Sequence, residues 1–166
     1  MEKIASKKEY PNLFSLSSKT AEQHYKEHSV DETIKLSNLL NKEVSKGIKA
    51  FISENNQWDL FIIEGVAIQP KLISEFRFKD CDFLPIFIID NDKDRIKEII
   101  YTRGLWNGNN NYANWVKEIE IDFLIRTNFN YLNESKNLNL PYFIIEKNRN
   151  KTIKKVSNYI LSNLNI

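Results

Sequence analysis

Glycine is scarce in this 166-residue chain, with four in all: Gly47, Gly65, Gly104 and Gly108. A phosphate-cradling loop of the form G-x-x-x-x-G-K-[ST] needs two glycines at a fixed spacing ahead of a lysine. No Gly-Lys-Ser/Thr occurs anywhere, which excludes unaided ATP gripping by such a loop. Cysteine is scarcer still. The lone Cys81 excludes an internal disulfide and fits a reducing compartment. No apolar run approaches membrane-spanning length, and Met1–Pro11 lacks the apolar core of a secretory signal. The expected location is therefore the cytoplasm, where the sequons at Asn133 and Asn150 carry no weight. Neither sign of charge dominates. Lys+Arg 24 against Asp+Glu 22 leaves +2, and the charges are interspersed, so neither nucleic acid nor a membrane surface is an expected partner. The one local excess, Lys147–Lys155, encloses Ile153 and reads as the solvated face of a last helix.

What remains is ordinary for a soluble globular protein: 42% apolar residues and 28% charged. The length suits one domain, 1–166, with no linker and no repeat. Within it, Trp58–Pro70 (W-D-L-F-I-I-E-G-V-A-I-Q-P) stands out. Leu60–Ile63 is an unbroken apolar run too short for a helix and reads as a strand buried on both faces of a parallel sheet. At its carboxyl end Glu64 would project into a site, and Gly65 would let the backbone turn and a ligand come close. Phe83–Ile89 reads as a second buried strand and Tyr142–Ile145, led by Pro141, as a third. The crossover through Lys71–Phe78 makes the first two parallel.

Helices are expected between the strands. Ser29-Val30-Asp31-Glu32 is a capping box opening a helix that runs to about Asn55. Its apolar stripe is Val30, Ile34, Leu40, Val44, Ile48 and Phe51/Ile52. A short helix over 19–28 carries His24-Tyr25-Lys26-Glu27-His28, an H-x-x-E-H pattern. Zinc would need a third ligand that nothing singles out, so the two histidines read as parts of a solvated helix. Further helices are expected over Lys93–Tyr101, Tyr112 to about Asn137 (Trp115, Ile119, Phe123, Leu124 and Leu132 inward) and Asn150–Leu161. Alternating strands and helices give an α/β fold.

Several of these pieces, in order, resemble the P-loop kinase domain of 2-phosphoglycerate kinases and their relatives. They are Tyr10-Pro11-Asn12-Leu13 with Ser17-Ser18, Gly47 within Val44–Ile52, and Glu64-Gly65-Val66-Ala67-Ile68-Gln69-Pro70. Asp90–Asp94, Tyr101-Thr102-Arg103, Tyr112–Ile119 and Leu140-Pro141-Tyr142-Phe143-Ile144 follow. Only E-G-V-x-x-x-P is specific by itself. Ala67 stands where the family has histidine, and a further lid arginine is missing near Lys97. The match begins downstream of where the phosphate loop would lie, so the nucleotide-binding front is expected to be absent.

The resemblance implies a three-layer kinase-like parallel sheet lacking its P-loop strand and second strand. The strands near 58–63 and 83–89 would then leave a slot between them or pair directly. It also implies roles. Glu64 and Arg103 would be catalytic, the first on the magnesium shell or attacking hydroxyl, the second as a lid cation beside Arg95 and Lys97. Ser17, Ser18, Lys19 and Gly65 would contact a small acid substrate. ATP and Mg²⁺ would bind only if a companion chain, or a second copy, supplied the missing front. The alternative is a non-catalytic remnant acting as a protein-interaction module.

Overall fold

A computed structural model describes residues 8, 10–14, 19–54, 60–78, 82–105 and 111–164. Helix starts follow local chemistry. The Thr20 hydroxyl accepts from the Gln23 amide at 3.2 Å and opens α1 (Ala21–Glu27). Ser29 and Glu32 exchange the reciprocal bonds of a capping box, 2.8 and 3.3 Å, at the head of α2 (Val30–Glu54). Pro70 opens the single turn α3 (Pro70–Ile73). Asp92 caps α4 (Lys93–Arg103), which ends at Gly104 with φ 85°, a left-handed value that favours glycine. α5 (Asn114–Asn137) and α6 (Arg149–Asn163) complete the set.

The chain is mostly helical. Its sheet among the described residues is one parallel pair, β1 (Phe87–Ile89) with β2 (Tyr142–Ile144), in the register Phe87↔Tyr142, Ile88↔Phe143, Ile89↔Ile144. This overturns the expected three-layer kinase-like sheet with three strands. Leu60–Ile63 is not a strand, and Trp58 and Asp59 lie outside the described residues. An apolar run becomes a strand only when a neighbour takes its backbone bonds, and Ile62, Ile63 and Glu64 have none among the described residues. The second expected strand shrinks to Phe87–Ile89 because Pro85 has no N–H to give a ladder.

Helices cover both faces of the pair. Phe87 and Ile89 pack with Ile73, Phe76 and Leu132, so α3 and α5 take one face. Phe143 meets Tyr159 of α6 edge-on at 5.5 Å, which places α6 on the other, the face that Ile88 shares with Phe143. A second core joins Ala21, Tyr25, Ile96, Ile100, Leu105, Val116 and Ile121, from α1, α4, the turn after α4 and α5. α5 touches α1, α2, α3, α4, β1 and β2, so the fold is built around this helix and not around the Trp58 stretch. Trp115, expected inside, is 39% exposed, whereas Leu132 is buried.

Candidate functional site

Between the two cores runs a groove of about 2050 Å³. Leu60–Val66 lines one side and Asp82–Ile89 another, with Leu40, Ile48 and Ile52 of α2, Phe123 and Tyr131 of α5, and Val156 and Ile160 of α6. That volume is about twice the upper end of small-molecule sites, which run to ~1,000 Å³. It is more than one small molecule would fill. The two expected strands stand as walls of this groove and do not pair with each other.

The walls present unused backbone. Phe87 N–H donates to Pro141 O at 3.0 Å, and Ile89 O accepts from Ile145 N–H at 2.9 Å. In a ladder these groups alternate, so the Ile88 N–H and C=O point away from β2, and nothing described bonds them. Asp90 N–H, on that same open edge, is taken by Asn128 Oδ1 at 3.3 Å. Across the groove Leu60 is 59% exposed, Ile62 87% and Val66 85%. Phe61 packs edge-on against Phe51 of α2 at 5.9 Å and holds the segment there.

Polar side chains line the α1 and α5 side. Tyr25 Oη donates to Glu120 Oε2 at 2.5 Å, and both residues are buried. Burial pushes the Glu120 carboxyl above the ordinary carboxylate range, against the opposing effect of the Tyr25 bond. Burial likewise drives the Tyr25 phenol far up, with the Glu120 charge adding to it. His24 Nε2 lies 2.9 Å from Thr33 Oγ1. The Thr33 hydroxyl proton goes to Ser29 O at 2.9 Å, so Nε2 is the donor and the neutral ring carries its proton there. Burial, then His28 and Lys19, push the His24 pKa down. His24 is thus a hydrogen-bonded core residue, and no group of His, Cys, Asp and Glu among the described residues is arranged to hold a metal.

The structure separates the residues singled out from the sequence. Glu64, Gly65 and Lys19 line the groove; Arg95, Lys97 and Arg103 of α4 do not. Glu64 is exposed and has no hydrogen bond or ion pair among the described residues. A Cβ on Gly65 would meet nothing within 4 Å, so no close approach there demands glycine. Lys19 pairs with Glu27. Arg95 is committed: its Nε and Nη2 donate to Asp90 at 2.8 and 2.7 Å, and its Nη atoms reach Ile145 O at 2.9 Å and Glu146 O at 3.3 Å. Lys97 pairs with Glu118 at 3.1 Å. Arg103 is an exposed cation in the last turn of α4, favourable to the helix dipole. Ser17 and Ser18 lie outside the described residues.

Sequence reasoning passed over Gln69. Its buried amide Nε2 donates to Asn38 Oδ1 at 2.9 Å and meets Tyr131 Oη at 3.1 Å, while Tyr131 Oη donates to Val66 O at 3.2 Å. The Glu64–Pro70 loop is thereby pinned to α2 and α5. The polar residue one place before a helix-opening proline was the available signal. No helix among the described residues is long and apolar enough to cross a membrane. Against protein-family models, curated proteins and solved structures, the chain returns no match.

Proposed function

We propose that this chain is a protein-interaction module that takes an extended polypeptide segment into its groove, and that it is no catalyst on its own. One observation carries the reading. Two extended apolar segments, Leu60–Glu64 and Leu84–Ile89, face a shared groove with backbone groups at Ile62–Glu64 and Ile88 that no described residue bonds. Such edges are the usual template for strand addition from another chain. The test is thermal unfolding of the purified chain, alone and with an apolar β-forming peptide. A melting temperature raised by the peptide supports the reading. A high, concentration-independent melting temperature that the peptide leaves unmoved contradicts it.

A second reading rests on Glu64, an exposed carboxylate without a described partner on the groove wall, with Lys19 lining the same groove. In this reading the incoming chain brings a phosphate loop, and the complex transfers phosphoryl groups from ATP to a small acid. Glu64 would orient the attacking hydroxyl, and Lys19, released from Glu27, would meet the acceptor's charge. A lone carboxylate does not fit Mg²⁺, which takes one or two carboxylates together with substrate phosphates. The ion would arrive with the nucleotide. Calorimetry with ATP separates the readings: no heat from the lone chain is expected in both, and heat on adding a loop-bearing companion favours only the second.

A further inference from the structure

We propose that the groove's occupant is a single strand from another polypeptide. It adds to the open edge of β1, is apolar on both faces, and carries one lysine or arginine opposite Glu120. The inference rests on the polypeptide-binding reading above and names the chemistry of what binds.

The edge identifies an extended segment. Ile88 N–H and C=O, directed away from β2, are placed to bond a residue of a neighbouring strand, with Asp90 N–H beyond them closed off by Asn128. The two helical layers identify its side chains. A strand beside β1 would lie between α5 with α2 on the face of Phe87 and α6 on the face of Ile88. Alternate residues would therefore meet Ile48 and Phe123 on one side, Val156 and Ile160 on the other. Such a strand carries apolar residues at successive positions.

Charge identifies the remaining feature. The charged residues lining the groove are Lys19, Glu64, Asp82 and Glu120. Lys19 is already paired with Glu27. Three acids then face the groove in a chain whose total charge is +2. Glu120 is the deepest of them at 3% exposed, and its one described bond is from Tyr25. Burial disfavours its charged form, and a cation on the occupant is the group that would favour the carboxylate again.

The test uses dye-labelled peptides of about six residues, the usual length of a strand. They alternate valine and isoleucine, with one lysine moved through successive positions, and each has a twin carrying glutamate. Anisotropy titrations on the full chain should find one position where lysine binds about tenfold tighter than glutamate. Glu120→Gln should remove that preference, with circular dichroism confirming that the variant is folded. Ile88→Pro removes an N–H on the open edge without breaking a bond to β2, and should weaken every peptide, as should N-methylation of alternate peptide nitrogens. Equal binding of lysine and glutamate peptides at every position, or a preference kept in Glu120→Gln, overturns the charge assignment. Indifference to Ile88→Pro and to N-methylation overturns the edge assignment. If no peptide binds, including the all-apolar one, the polypeptide-binding reading itself falls.

Discussion

Replacing Arg95 with alanine should destabilise the chain well beyond what loss of an exposed ion pair costs. Its guanidinium ties the end of β1 to the segment after β2, through two bonds to Asp90 and one each to Ile145 O and Glu146 O. The Arg95 and Asp90 side chains are only 13% and 14% exposed. Removing one member of a buried pair costs ~3–5 kcal/mol, because the other charge is left without its partner. Residual water at this site lowers that to about 2–4 kcal/mol. With a urea slope of about 2 kcal/mol per molar, the midpoint should fall by about 1–2 M. The loss also has a pH signature. Burial would raise the Asp90 carboxyl, but the Arg95 and Asp92 hydrogen bonds and the Arg95 charge outweigh it and hold the pKa below its ordinary 3.8. A depressed acid contributes stability above its unfolded value and loses it as pH falls through the folded one. The gap between wild type and Arg95→Ala should thus be full near neutrality and narrow below about pH 4 to the part carried by the Ile145 O and Glu146 O bonds. Urea titrations at neutral and acid pH read both. A loss under ~1 kcal/mol at pH 7, the range of an exposed pair, would refute the reasoning.

Three further outcomes are expected. Ser135 is fully buried and its hydroxyl has no hydrogen-bond partner among the described residues, so Ser135→Ala should raise stability by about 1 kcal/mol in the same assay. Glu120 has a raised pKa, so its favourable protonated form is complete below the unfolded value and is lost as pH rises through the folded one. Glu120→Gln should therefore melt near wild type in mild acid and above it in alkali, whereas a gap independent of pH would count against the buried carboxyl. Ile62 is 87% exposed on the groove wall, so Ile62→Lys should cut binding of an apolar dye while shifting stability by no more than about 0.5 kcal/mol.

Where the sequence was legible, local chemistry was the reason. The Ser29–Glu32 box, the Gly104 stop of α4 and the proline before β2 act within a few residues, and each marks an element boundary the structure has. The walls of the groove were legible as apolar runs, but their state was not. Leu60–Ile63 and Phe87–Ile89 look alike along the chain, and among the described residues only the second pairs with another strand. Pairing is a long-range fact that composition does not carry. Arg95 shows the same limit. A helix-borne arginine beside Asp90–Asp94 suits a lid equally well, and only the return of Ile145 and Glu146 to its guanidinium makes it a latch. α5 became the centre of the fold for a related reason: its buried residues lie on more than one side, which a single-stripe reading of the sequence does not reveal.

The account depends on an edge left open for another chain, and amide hydrogen exchange at Ile88 addresses it directly. The Ile89 amide, inside the β1–β2 ladder, should be protected, while Ile88 should exchange freely in the lone chain and slow when an apolar strand peptide is added. An Ile88 amide already protected without any partner, or one whose exchange the peptide leaves untouched, would contradict the account.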